Sequence, residues 1–266
     1  MSEFDDDVAV VAAGDGRWTA TPTDRWNIGV VPDGGYTLAI GLNAISQAMS
    51  HPDPVTVTGH FLGKVVPNQP VEIEVDVIKA GKRFSTASAA MFQDGTERLR
   101  MLATFGDLDA VEGPTAVTGE RPDIPTPEQC VEANPNKAPV EIARRFTILV
   151  PQEMEPLLRF QPTGVPELHA YMKFRDGREP DLLSLALYAD ALPPPAYNVA
   201  PMGWVPTLEL TVHFRGKPEP GLLQLAFRTR YLISGLMEED GEIWDSRGNL
   251  VALSRQIALN TGVVEL

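Results

Sequence analysis

Residues 58–67 and 211–220 are two versions of one ten-residue stretch. The first reads Thr-Gly-His-Phe-Leu-Gly-Lys-Val-Val-Pro and the second Thr-Val-His-Phe-Arg-Gly-Lys-Pro-Glu-Pro. At a constant offset of 153, Thr58, His60, Phe61, Gly63, Lys64 and Pro67 meet Thr211, His213, Phe214, Gly216, Lys217 and Pro220. A duplication of this kind implies one structural unit used twice, and it limits the folds open to the 266 residues.

The repeat extends beyond the stretch. Val71, Ile73, Val75 and Val77 alternate with polar residues as a half-buried strand does. One residue out of phase, Leu225, Phe227, Thr229 and Tyr231 do the same. Gln93-Asp94-Gly95 and Ser246-Arg247-Gly248 then return to the first offset. Both read as hairpin turns, with glycine supplying positive φ. Further strands follow at 97–105 and 250–259, so each half holds several consecutive antiparallel strands.

Each half also opens with a helix. Gly34-Gly35 precedes the run from Tyr36 to Met49, and Pro180-Asp181 precedes the run from Leu182 to Leu192. Pro193, Pro194 and Pro195 stop the second run. Both runs are apolar nearly all round, and a helix of that kind is enclosed rather than laid on a surface. A curved antiparallel sheet wrapped around the helix would enclose it. The expected fold is therefore α+β, a helix inside a sheet twice over. Residues 1–106 form the first unit, the Pro- and acid-rich 107–140 a linker, and 141–266 the second unit.

Composition removes several function classes. Hydrophobic residues make up 43% and charged residues 22%, a globular profile. The net charge of −14 argues against nucleic-acid and anionic-membrane partners, which would be repelled. There is no basic-then-apolar leader pattern at Met1–Asp7 and no apolar run long enough to span a bilayer, so a cytoplasmic location is expected. Cys130 is the single cysteine and reads as a surface or partly buried thiol rather than a nucleophile. His51, His60, His169 and His213 show no metal-ligand spacing, so no metal site is expected, and no cofactor either. His60 and His213 are repeat-related, which suits equivalent structural places on strands.

Several of these motifs, in this order, resemble the acyl-CoA thioesterase II type of double-hotdog protein. In the first half they are Pro32-Asp33-Gly34-Gly35-Tyr36, His60-Phe61-Leu62 and Gly81-Lys82-Arg83-Phe84-Ser85. In the second half they are Ala189-Asp190, Trp204-Val205-Pro206-Thr207-Leu208-Glu209 and Asp240-Gly241-Glu242-Ile243-Trp244, with Gln256 on the last strand. The resemblance implies a double hotdog, an acyl-CoA substrate, and a hydrolytic water bound by an Asp, a Thr and a Gln. Asp190, Thr207 and Gln256 stand at the matching places. One departure concerns the substrate: where long-chain relatives carry a His-Ser-x-His stretch, this chain has Thr56-Val57-Thr58-Gly59. Acyl chain length is therefore not carried over.

The residues themselves leave plainer readings beside that one. At helical spacing Asp190 shares a face with Leu183, Ala186 and Leu187. Burial and the negative end of its own helix would raise its pKa and make it a better base near neutrality. The plainer reading is an exposed last turn in which Asp190 caps a loop. Gln256 shares a face with Ser254 and Ala252, whereas Val251, Leu253 and Ile257 make the opposite face the more apolar one. That contrast favours a surface-facing Gln256. Thr207 on a strand is an ordinary β-former. The duplication sharpens the set: at the equivalent places the first half has Leu42, Pro54 and Ala103. One site per chain follows, not two.

The CoA phosphates need cations, and Lys82 and Arg83 beside Gly81 are the expected contacts, although a solvated strand end is the plainer reading. Gly34 and Gly35, at a helix N-terminus, are the expected backbone donors toward the thioester. Two other readings remain open: a non-catalytic acyl-CoA binder, and a hotdog enoyl-CoA hydratase or dehydratase. Exposed sheet edges suggest a homo-oligomer, a dimer or a dimer of dimers, and the chemistry suggests a place in lipid metabolism.

Overall fold

Among the residues described by the computed structural model (2–159, 161–200 and 203–260), fourteen strands form one continuous sheet whose pairings are all antiparallel. Eight of them carry the repeat. In the first half these are β1 (Asp53–Phe61), β2 (Val71–Ala80), β3 (Ser85–Gln93) and β4 (Thr96–Gly106). In the second half they are β5 (Thr207–Phe214), β6 (Leu223–Arg228), β7 (Leu236–Trp244) and β8 (Leu250–Leu259). The order across the sheet is β2-β3-β4-β1-β5-β8-β7-β6, so each half is the mirror of the other in strand order. The halves meet where β1 pairs with β5.

At that seam Thr58 lies opposite Thr211, and their hydroxyls are 2.8 Å apart. These two residues are repeat equivalents, so a local two-fold axis passes between them. The turns that fix the strand register also follow the sequence. Asp94 and Gly95 both take positive φ, 51° and 69°, as a tight two-residue hairpin turn demands.

Strands outside the repeat extend both edges. Arg17–Ala20 pairs with β2, and Glu167–Phe174 takes the equivalent place beside β6. Phe146–Val150 and then Val131–Glu132 continue the second edge. Part of the Pro-rich segment 107–140 thus joins the sheet. It is also tied to β6, because Arg121 donates to Gln224 and Gln224 donates to the carbonyl of Pro122.

Three helices matter for the site: α1 (Glu3–Asp7), α2 (Gly34–Ala48) and α3 (Leu182–Tyr188). Asp33 caps α2 by accepting from the Tyr36 N–H at 2.9 Å, and Asp181 caps α3 by accepting from Ser184 at 2.8 Å. Between Gly35 and Ile45 every α2 residue except Asn43 is buried, and Asn43 donates to the carbonyl of Val8. The nearly all-apolar run is thereby explained: α2 packs against β1–β4 on one side and α3 on the other. The second helix is shorter than the Leu182–Leu192 run suggests. It ends at Tyr188, and the chain turns so that the Asp190 N–H bonds the Leu187 carbonyl. The three prolines beyond it remove donors and disfavour helical backbone before them. No described helix is long and apolar enough to cross a membrane.

The N-terminus locks this helix pair in place. Phe4, Trp26, Tyr36, Phe146, Phe174 and Tyr188 form one aromatic cluster joining α1, α2, α3 and the second sheet edge. Asp7 lies within it at 5% exposure, accepting from Arg25 at 2.8 and 2.5 Å and from the Trp26 ring N–H at 2.8 Å. Removing that carboxylate strands a buried indole N–H and frees one guanidinium. Asp7→Ala is expected to destabilise the fold by about 2–3 kcal/mol, read as a lowered midpoint in urea unfolding with an unchanged slope.

Candidate functional site

Asp190 leaves the end of α3 pointing at the start of α2. Its Oδ2 accepts from the Gly35 backbone N–H at 2.9 Å. The approach is possible only because residues 34 and 35 have no side chains. A Cβ on Gly35 would lie 2.6 Å from the Ala186 carbonyl oxygen, and one on Gly34 would lie 2.6 Å from Asp190 Oδ2.

Gln256 on β8 faces inward at 4% exposure, with Ala252 and Ser254 on the same buried face. The apolar contrast between the strand's two faces had pointed the other way. Its amide is fully engaged. Oε1 accepts from the Thr207 hydroxyl at 2.8 Å, and Nε2 donates to Glu239 Oε1 at 2.8 Å and to Asp190 Oδ1 at 3.4 Å. Residues 190, 207 and 256, far apart in sequence, therefore form one connected group.

The electrostatics are those of crowded carboxyls held by neutral donors. Burial pushes Asp190 up to about 6, while the Gly35 N–H, the Gln256 amide and the Gly34 N–H pull against that. Glu239 is pushed up to about 8, again by burial first, with the Asp190 charge adding to it. Asp33 is raised well above the carboxylate range by burial and by Asp190, against N–H donors from Tyr36, Gly35 and Gly34. Asp190 does stand just past the C-terminal end of its own helix, as its sequence place suggested. The end that touches its carboxylate, however, is the N-terminus of α2, which favours the charged form.

This group forms part of the wall of a cavity of about 520 Å³. Phe61, Leu99, Ile148, Leu158, Tyr197 and Trp204 supply apolar wall, and residues 132–143 close one side. Four cations, Lys64, Arg98, Lys137 and Arg159, also border it. Lys82 and Arg83 do not: they sit exposed in the turn between β2 and β3, away from the cavity lining. Gly34 lines the cavity, whereas the Gly35 N–H is committed to Asp190. Burial and nearby Glu153 and Glu128 push the Cys130 thiol up, which suits an inert thiol. Neither His60 nor His213 lines the cavity, and both are exposed on their strands.

Two residues of the group were missed by the sequence reading, Asp33 and Glu239. For Glu239 the signal is there: Met237, Glu239, Gly241 and Ile243 share the buried phase of β7. For Asp33 the capping position was visible, but its nearness to Asp190 was not.

The equivalent corner of the first half is different. A hollow of about 330 Å³ lies there, bordered by Leu42, Pro54, Phe105, Asp181 and Leu182. Leu42 and Pro54 stand where Asp190 and Thr207 stand in the second half.

A family model described as the acyl-CoA thioesterase N-terminal domain matches residues 22–106, and one described as the C-terminal domain matches 127–259. The chain belongs to the acyl-CoA thioesterase family. A Thermobifida fusca protein provisionally named thioesterase II is 30% identical, with a TM-score of 0.89 over 97% of each chain. A conserved protein of unknown function from Alicyclobacillus acidocaldarius, solved with a hot dog fold, is 24% identical, with a TM-score of 0.87 over 99% of this chain and 100% of that one. An uncharacterized protein of Mycobacterium tuberculosis is 25% identical over 257 residues, 89% of this chain and 88% of its own. The chain is thus a hot-dog protein of α+β class.

The raised carboxyls of this family member bear on its stability. A carboxyl whose folded pKa exceeds its unfolded one favours folding while protonated, and that contribution is lost as pH rises through the folded value. For Asp190 the window runs from about 4 to about 6. Asp190→Asn keeps an acceptor for the Gly35 N–H and removes the ionisation. It is expected to be about 3 kcal/mol more stable than the parent at pH 8 and within about 1 kcal/mol of it at pH 4. Urea unfolding at the two pH values checks this.

Proposed function

We propose that the chain is a double-hotdog hydrolase that cleaves an acyl-CoA thioester to the free acid and CoA, using water activated by Asp190, Thr207 and Gln256. The single observation that carries the reading is the carboxylate–amide–hydroxyl group at the wall of an apolar cavity, held by the N-terminus of a helix from the other half. Family membership supports the substrate class. The paired helices and the mirrored strand order support the doubled architecture.

Water bound between Asp190 and the Thr207–Gln256 pair is aligned on the thioester carbonyl carbon. Its oxygen forms the new C–O bond as its proton passes to Asp190. The tetrahedral intermediate collapses, the C–S bond breaks, and the CoA sulfur leaves with the electron pair and receives the proton. A thioester is reactive enough that no covalent enzyme nucleophile is needed. Asp190 must be ionised to take the proton, so burial that lifts it to about 6 makes it a stronger base while leaving it mostly charged at neutral pH.

The acyl group occupies the apolar part of the cavity and the nucleotide lies at its charged border. Lys64 and Arg98 serve the phosphates in this reading in place of Lys82 and Arg83. Among the described residues neither Lys64 nor Arg98 has an ion-pair partner, whereas Arg159 is paired with Glu155. A hydratase reading lacks support, since none of the four histidines lines the cavity.

Release of CoA from a panel of acyl-CoAs, followed by a thiol reagent, tests the reading. Asp190→Asn is expected to lower kcat by roughly 10²–10⁴-fold, and the parent rate is expected to rise through an apparent pKa near 6. Binding without turnover by the parent enzyme would leave an acyl-CoA binder instead. In the same assay Lys64→Ala and Arg98→Ala are expected to raise KM about 3- to 10-fold with kcat nearly unchanged, as loss of uniform binding does. Lys82→Ala and Arg83→Ala are expected to leave both constants as they are.

A further inference from the structure

We propose that Glu239 is a positioning residue for this site, whose buried carboxyl fixes which end of the Gln256 amide faces Thr207 and which faces Asp190. The inference rests on the hydrolase reading above for its kinetic part only.

An amide side chain has an acceptor end and a donor end, and the group must present them in one order. The Thr207 hydroxyl cannot decide that order, because a hydroxyl both donates and accepts. The contact between Gln256 Nε2 and Asp190 is long, 3.4 Å, and Asp190 changes protonation during turnover. Glu239 Oε1 is the remaining partner, at 2.8 Å from Nε2, on the neighbouring strand and at 4% exposure. Its oxygen accepts in either protonation state, provided that the proton sits on Oε2. With Glu239 in place, Nε2 is held toward the two carboxyls and Oε1 toward Thr207.

The duplication gives independent support. Gln256 pairs with Leu210 on one side and Glu239 on the other. In the first half Ala103 pairs with Val57 on one side and Ala87 on the other. The Glu239–Gln256 pair thus stands where the half without the site has Ala87–Ala103, both fully buried. A buried carboxyl that packs no better than a methyl would be a pure cost to folding. Its appearance together with Gln256 ties it to what Gln256 does.

The charges around Glu239 define how it titrates. On its own strand lie Glu238 and Asp240, and Asp240 is tied to Arg230 and Arg255. Asp190 faces it from the end of α3, and Asp33 from the start of α2 lies beyond. On β8 its partner is the neutral Gln256, and on β6 Arg228 is engaged by Glu242. Among the described residues no cation pairs with Glu239, and burial, with the Asp190 charge adding to it, pushes it up to about 8. At neutral pH it offers an acceptor without a second full charge beside Asp190. Above that pH its ionisation sets a like charge against the base.

The experiment compares wild type, Glu239→Gln and Glu239→Ala by steady-state thioester hydrolysis from pH 5 to 9.5. Alongside it, NMR follows the Gln256 side-chain N–H signals, assigned by their loss in Gln256→Leu. Glu239→Ala is expected to lose about 10- to 100-fold in kcat with KM within about 2-fold. Glu239→Gln retains an acceptor oxygen and is expected to recover to within about 3-fold of wild type. In wild type the Gln256 signals are expected to shift with a midpoint near 8, and in Glu239→Gln to lose that titration. Wild-type kcat in Glu239→Ala overturns the proposal, as does a Glu239→Gln enzyme as slow as Glu239→Ala. Gln256 signals that ignore both pH and substitution overturn it as well. If wild type releases no CoA, the hydrolase reading fails and the NMR titration still decides the position of the amide. If Glu239→Ala does not fold, Glu239→Gln and the wild-type titration decide it.

Discussion

The hydrogen bond from the Gly35 amide to the Asp190 carboxylate holds together a site whose parts come from both halves of the chain. The donor belongs to the first helix of the first half, and the acceptor to the end of the equivalent helix in the second. The two glycines at the start of α2 let the helix ends close to distances at which a Cβ on residue 35 would collide with backbone and one on residue 34 with the Asp190 carboxylate. Once that contact is made, Asp190 cannot swing into solvent, and its second oxygen is left for Gln256. The value of about 6 for Asp190 expresses a balance, with burial disfavouring the charge and the positive end of a helix favouring it. For the proposed hydrolysis, loss of burial would leave a weaker base, and loss of the helix end a base more seldom ionised.

Three carboxyls share this corner, and among the described residues no cation pairs with any of them. Their compensation comes from neutral donors: backbone N–H groups at the start of α2 and the amide of Gln256. A lysine or arginine here would lower the carboxyl pKa values and remove the basicity that the proposed hydrolysis needs. The arrangement therefore carries a standing cost to folding at neutral and alkaline pH, as sites built for activity rather than stability do. The aromatic cluster around Trp26 and the long buried α2 offset it from outside the site.

Much of the fold was legible because the duplication is encoded in residues that do local work. The hairpin at Asp94-Gly95 and the caps at Asp33 and Asp181 act within a few residues of themselves, so sequence exposes them. The pairing of Thr58 with Thr211 follows once the two copies are joined edge to edge. The inward face of β8 was not legible. Val251, Leu253 and Ile257 look more apolar than Ala252, Ser254 and Gln256, yet β8 is central and both of its faces are largely covered. Glu239 was hidden in the acidic run Glu238-Glu239-Asp240, which reads as solvated until the phase of the strand is known. Nor does local sequence announce that Asp190 meets an amide 155 residues away, or that Lys82 and Arg83 stand off the cavity while Lys64 and Arg98 border it.

The division of labour between the copies follows from what each position costs. Ala87, Ala103, Pro54 and Leu42 in the first half are apolar and need no partners, so that half contributes packing without polar debts. Its helix runs fifteen residues and is buried along nearly its whole length, against seven residues in the second half. The second half, with Glu239, Gln256, Thr207 and Asp190 at the same places, must satisfy each polar group, and it does so partly with an amide from its neighbour. A symmetric pair of polar corners would double the unfavourable burial while leaving each helix start to serve a carboxylate of its own. Asymmetry lets the apolar copy hold the architecture and supply one helix end, so that the polar copy can keep its carboxyls near the pH at which they exchange protons.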